Sequence, residues 1–269
     1  MFRDELQLME INVPRAALQL ARTLAYPELN VAEYMSRLHE LSEEGADAID
    51  HTLSITAQVE KLSEFLFSTL GFRGNRANYP DPLNSFLNEV IDRRTGIPIT
   101  LSILYIDIAT RLGLPAYGIG LPGHFIVGIR AKEDDIWVDP FHDGRILHLS
   151  DCVDLIRLST GYEGPLEAIW FQPASAKSIL ARMLGNLRAS YVGSGAWSRA
   201  VTVIQLLRQV QPNETEHLRD LGFVYYHQGN LPQAAHYLNS YLQQDPNAGD
   251  AQVIREGIKN ILDEWVPMN

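Results

Sequence analysis

From Leu184 to Asn247 the chain repeats itself at an offset of 34 residues. Leu184 recurs as Leu218, Leu187 as Leu221, Tyr191 as Tyr225, Gly195 as Gly229, Ala200 as Ala234 and Pro212-Asn213 as Pro246-Asn247. This pattern leaves few folds open. Leucines and tyrosines spaced by three and four residues share one helix face. A glycine at the same place in each copy ends that helix in a turn, and the alanine lets the next helix approach closely. The proline then stops the second helix. Each copy is thus a helical hairpin that cannot bury its apolar face alone and has to stack on a neighbour. The first copy carries Arg188 where the second has Gly222, so a looser contact is expected there. A last helical pattern, about Ala248 to Trp265, closes the array. Only helical patterns follow residue 173, which divides the chain into 1–173 and 174–269.

The first part reads differently. Helices are expected over Val13 to Leu24, Asn30 to Glu44 and Asp47 to Leu70, with Gly71 as the C-cap of the third. GFRGNRANYPDP reads as a loop, and Asp81 or Asn84 opens a helix that ends before Gly96. A strongly apolar, buried helix runs from Pro98 to Leu112, ended by Gly113-Leu114-Pro115. Tyr117 to Leu121, His124 to Arg130 and Ile136 to Val138 read as strands by their β-branched and aromatic content, with Lys132 to Asp135 as a polar turn. Ile146 to Leu149 is a fourth short strand, and a helix follows from Asp151 to Leu158. Helices followed by an antiparallel sheet make an α+β domain, with an all-α domain after it.

Composition narrows the function. The 269 residues are 46% hydrophobic and carry a formal net charge of −11. That charge disfavours nucleic-acid backbones and anionic membranes as partners. One cysteine, Cys152, excludes an internal disulfide framework and a cysteine-rich zinc site. Acidic residues near the N-terminus do not suit a secretory signal, and no stretch approaches the ~20 apolar residues of a membrane span. The expected setting is cytoplasmic.

The chemistry-bearing stretch runs from Arg93 to Gly144. It holds a helix start at Gly96-Ile97-Pro98, a histidine on a strand (His124) and an aspartate ending the next strand, Asp139-Pro140. In that order it resembles the Cys-His-Asp site of the transglutaminase-like, papain-like core, with G-x-C, a helix, L-G-I-P, a strand with His and a strand ending in Asp-Pro. Leu112-Gly113-Leu114-Pro115 takes the L-G-I-P place, His124 the base, Asp139 the orienting acid and Pro98 the seat of the thiol. RRTGIPITLSILY, LPGHF and VDPF are similar, more closely, to the SirB1 family, which joins a transglutaminase-like domain to C-terminal tetratricopeptide repeats. That resemblance covers most of the chain, and the 34-residue copies resemble the tetratricopeptide repeat.

A thiol nucleophile depends on a helix N-terminus, a histidine base and an oriented acid, with backbone N–H groups for the oxyanion. Pro98 supplies neither a nucleophile nor an N–H, and it is a favourable first residue of a helix. Thr100, Ser102 and Cys152 are the candidate replacements. Thr100 is turned about 200° around the helix from Pro98, Ser102 lies one turn deeper, and Cys152 reads equally as a small core residue. Two readings of His124 stand side by side: an imidazole locking two strands through Asp139, or a general base or ligand-binding group. Arg93 and Arg94 either favour a helix C-terminus by their charge or line the cleft and bind a carboxylate. Asn84 and Asn88 cap or bridge the loop from Gly71 to Pro82, and Asn84 is a candidate binding residue. His142, Asp143 and His148 match no strong metal-binding spacing, so no metal or other cofactor is expected.

Three functions compete. The first is a non-catalytic adaptor, holding a protein or peptide through the repeats and the inherited cleft. The second is a hydrolase or acyl transferase using His124, Asp139 and a replacement nucleophile. The third is a plain scaffold in which only the repeats bind.

Overall fold

The computed structural model describes residues 2–265, which form two compact units that divide between Met183 and Leu184. The first unit opens with a short helix α1 (Phe2–Glu5), which has no counterpart in the sequence reading, and α2 (Val13–Leu24), capped by the Asn12 side chain on the Arg15 N–H. Helix α3 (Val31–Ala46) is capped in the same way by Asn30. The helix expected over 47–70 is shorter and of two kinds. Residues 47–54 turn, Ser54 caps α4 (Ile55–Ser63), and Glu64–Thr69 continue as a π-helix. Asp50 bonding to Thr52 holds the chain in a turn there and delays the helix.

Gly71 then takes a φ of 75° and ends this run. Two-residue strands β1 (Arg73–Gly74) and β2 (Thr95–Gly96) pair in parallel around a 3-10 turn at Pro82–Ser85 and helix α5 (Leu87–Arg93). Helix α6 (Pro98–Arg111) is the centre of the unit. Ile99, Leu101, Ile103, Leu104, Tyr105, Ile108 and Ala109 are all buried, and α6 packs against α2, α3, α5 and the main sheet. That sheet is an antiparallel meander in chain order: β3 (Ala116–Ile119), β4 (Ile126–Ile129), β5 (Ile136–Asp139) and β6 (Arg145–Leu147). β4 starts two residues after His124 because Pro122 and Gly123, the latter at φ 71°, form a tight turn whose His124 N–H donates to the Leu121 carbonyl. Helix α7 (Leu149–Thr160) closes the sheet through a core of Ile119, Leu121, Ile126, Leu147, Cys152 and Ile156.

Helix α8 (Ala176–Gly193) crosses the division between the units. Its first half belongs with the sheet: Arg182 donates to the Leu121 carbonyl, and Ile179 lies against Gly118. The structural division therefore falls later than the 173/174 change of composition. The second unit holds α9 (Trp197–Val210), α10 (Glu216–His227), α11 (Leu231–Gln244) and α12 (Ala251–Trp265). The repeated positions do what the period implied. Leu184, Leu187, Leu218, Leu221, Ala200 and Ala234 are buried, and Gly195 and Gly229 turn at φ 69° and 74°. At Gly222 a Cβ would stand 2.5 Å from the Leu238 side chain, so α10 and α11 meet there as closely as backbone allows. Arg188, in the equivalent place of the first copy, instead pairs with Asp220. No helix among the described residues is long and apolar enough to cross a membrane.

Candidate functional site

The sheet register brings the histidine and the aspartate together. Val127 pairs with Val138, so the residues entering β4 lie beside the end of β5. His124 Nε2 sits 3.0 Å from Asp139 Oδ1, with both side chains buried. The same oxygen accepts the Phe141 N–H at 3.1 Å, which fixes the carboxylate over a 3-10 turn, Pro140–His142. That turn adds a member that sequence spacing had not placed here: His142 Nδ1 meets Asp139 Oδ2 at 2.6 Å. The cluster is therefore His-Asp-His. The sequence signal was the three-residue step from Asp139 to His142, which one turn of 3-10 helix brings onto one side. Asp143 (φ 60°) closes that turn and pairs with Arg76; neither Asp143 nor His148 joins the cluster.

Burial pushes the Asp139 carboxyl up, but hydrogen bonds from His124 and then His142 outweigh it and hold it well below the usual carboxylate range. The aspartate is a fixed anion between two imidazoles.

Pro98 is the buried first residue of α6, and α6 packs against β4 and the Pro140–His142 turn. The candidate hydroxyls and the thiol are all buried. Thr100 Oγ1 is fully buried, accepts the Ile97 N–H at 3.1 Å and donates to the Asn84 carbonyl at 2.8 Å, so it caps the helix. Ser102 is fully buried with no partner for its Oγ. Cys152 lies in the core under α7, and burial, then the charges of Asp151 and Asp139, push its thiol up to about 12. No hydroxyl or thiol among the described residues hydrogen-bonds His124.

The other candidate residues build the walls. Asn84 is fully buried; its Oδ1 accepts from Asn75, and its amide donates to the carbonyls of Asn78 and Tyr79, which ties the 71–82 loop in place. Through that loop Tyr79 meets Phe141 edge-on at 5.8 Å, and Phe141 meets His124 edge-on at 6.1 Å. Arg93 reaches Asp81 at 3.5 Å and leaves Nη1 buried without a partner, as is Asn88 Oδ1. Arg94 ends α5 in the left-handed region (φ 52°) and donates to the Leu70 carbonyl at 2.6 Å. None of three cavities, each of about 700 Å³, is lined by His124: they lie beside α2, beside the start of α9 and beside the Lys132 turn.

Comparison with known proteins agrees with this architecture. Residues 32–185 match the transglutaminase-like superfamily and residues 187–259 the tetratricopeptide repeat. A UPF0162 protein of Xylella fastidiosa is 32% identical over 93% of this chain and 90% of its own length. F-box only protein 21 of Homo sapiens is 28% identical over 70% of this chain but only 31% of its own length. Menin, among solved structures, shows 12% identity and a TM-score of 0.41 over 88% of this chain and 67% of its own, too loose a likeness to carry argument. The chain belongs to the transglutaminase-like superfamily, in the SirB1-like arrangement that places tetratricopeptide repeats after the transglutaminase-like domain.

Proposed function

We propose that this protein is a cytoplasmic, non-catalytic adaptor that holds a protein or peptide partner, with its repeats as the main binding surface. The observation that carries the reading is Pro98 at the first position of α6. An imino acid there brings no attacking atom and no N–H for an oxyanion. The other nucleophile candidates support it: Thr100 is spent as a cap, Ser102 is sealed in the core, and the Cys152 thiol stays protonated at neutral pH. A hydrolase or acyl transferase working through one of them is the rival reading. It requires an accessible hydroxyl or thiol against His124.

The repeats carry exposed aromatics of the kind that bind partners: Phe223 and Tyr226 are 45% and 39% exposed on α10. The test compares partners retained by the wild-type chain, by His124→Ala and by the double variant Phe223→Ala, Tyr226→Ala, each quantified by mass spectrometry. The reading expects the double variant to lose them and His124→Ala to keep most. Partners retained equally by all three would contradict it.

A further inference from the structure

The His-Asp-His cluster does more than a strand lock or an orienting dyad requires. One imidazole suffices to pair with a buried carboxylate, yet Asp139 meets His124 on one oxygen and His142 on the other. We propose that His124 Nε2, His142 Nδ1 and an oxygen of Asp139 form a binding site for one divalent transition-metal ion of the zinc class. This goes beyond the adaptor reading and does not rest on it.

The donor set selects the ion. Two imidazoles and one carboxylate suit zinc and its first-row neighbours, whereas calcium and magnesium take oxygen donors. The three donor atoms lie within 4.8 Å of one another. Zinc–nitrogen and zinc–oxygen bonds of about 2.0–2.2 Å place their ligand atoms about 3–4 Å apart. The adjustment needed is about an ångström, and His142, whose side chain is 35% exposed, is the member free to make it. The imidazole–carboxylate contacts already gather the three donors around one point, with His124 Nε2 3.0 Å and His142 Nδ1 2.6 Å from the two carboxylate oxygens. His142 faces solvent, so water or an incoming carboxylate takes the remaining coordination positions.

The surroundings hold the three donors as a built site does. The Phe141 N–H orients the carboxylate, the role usually given to a residue behind the ligands. Backbone clamps grip both ligand segments where no side chain fits. A Cβ at Gly74 would stand 2.5 Å from the Phe141 carbonyl, and one at Gly144 would stand 2.5 Å from Ser63 Oγ. A Cβ at Gly123, beside His124, would stand 2.6 Å from the Ser159 side chain. Of the three residues His142, Asp143 and His148, the fold brings only His142 into the cluster, by the three-residue step from Asp139.

The experiment takes the untagged full chain, dialysed against a chelator, and titrates Zn²⁺ alone by calorimetry. Co²⁺ serves as a visible-absorption reporter of coordination. The expected result is one ion per chain, about tenfold or more weaker in His142→Ala, with a cobalt spectrum of fewer than six ligands that the variant loses. His142→Ala is the deciding variant because its side chain is the partly exposed member of the three, with its folding checked by circular dichroism; His124→Ala and the exposed-site control His51→Ala flank it. Binding of equal strength in wild type and His142→Ala, or no stoichiometric binding to the wild-type chain, would overturn the site. Loss in His51→Ala to the same degree would also overturn it, by assigning the ion to the surface.

Discussion

At the scale of single residues the site is organised by Asp139, and its charge has a consequence for stability. Its pKa in the folded chain is depressed, so its ionised form stabilises the fold at and above the ordinary carboxylate value of 3.8, and that contribution fades as pH falls through the folded value. In chelator, wild type should exceed Asp139→Asn by about 2–4 kcal/mol at pH 7, measured by denaturant unfolding, and the gap should shrink below pH 4. A gap unchanged between pH 7 and pH 3 would contradict the assignment. Cys152 gives a second check. With its thiol pushed up to about 12 inside the α7 core, it should resist iodoacetamide in the native chain at pH 8 and react promptly once unfolded. Much of this was readable in the sequence: His124, Asp139 and Pro98 stand in family order. The third member was not, since the direction of the His142 ring depends on a turn that Asp139, Pro140 and the left-handed Asp143 create only in three dimensions.

At the scale of elements, glycine contacts set how closely parts meet. Gly144→Ala combines an unfavourable φ of 72° with a Cβ 2.5 Å from Ser63 Oγ, and should cost about 2 kcal/mol or more in denaturant unfolding. Gly222→Ala forces α10 off α11 at Leu238 and should cost about 1–3 kcal/mol, whereas Gly249→Ala, with open space around it, should be near neutral. Equal effects at positions 222 and 249 would count against the close packing. The elements legible in advance were those with strong periodicity. The 34-residue period named the hairpins of the second unit, and the apolar run after Pro98 named α6. Missed were the elements with little pattern of their own. β1 and β2 are two residues each, too short for an alternation, and their pairing depends on where α5 ends. The π-helix at Glu64–Thr69 keeps the composition of the α-helix before it.

At the scale of the whole chain, a transglutaminase-like domain is followed in sequence by tetratricopeptide repeats. On the two proposals, variants of the His-Asp-His cluster should change metal binding and variants on α10 should change partner binding. The net charge of −11 gives the binding of partners a sign: basic segments should be held more tightly at low ionic strength and released by salt. The central claim is that Pro98 has removed thiol chemistry from this site, and intact-protein mass spectrometry after incubation with a glutamine-containing peptide and a primary amine tests it most directly. The account predicts an unmodified chain and no joined product. An acyl adduct on any side chain that disappears in His124→Ala would contradict it.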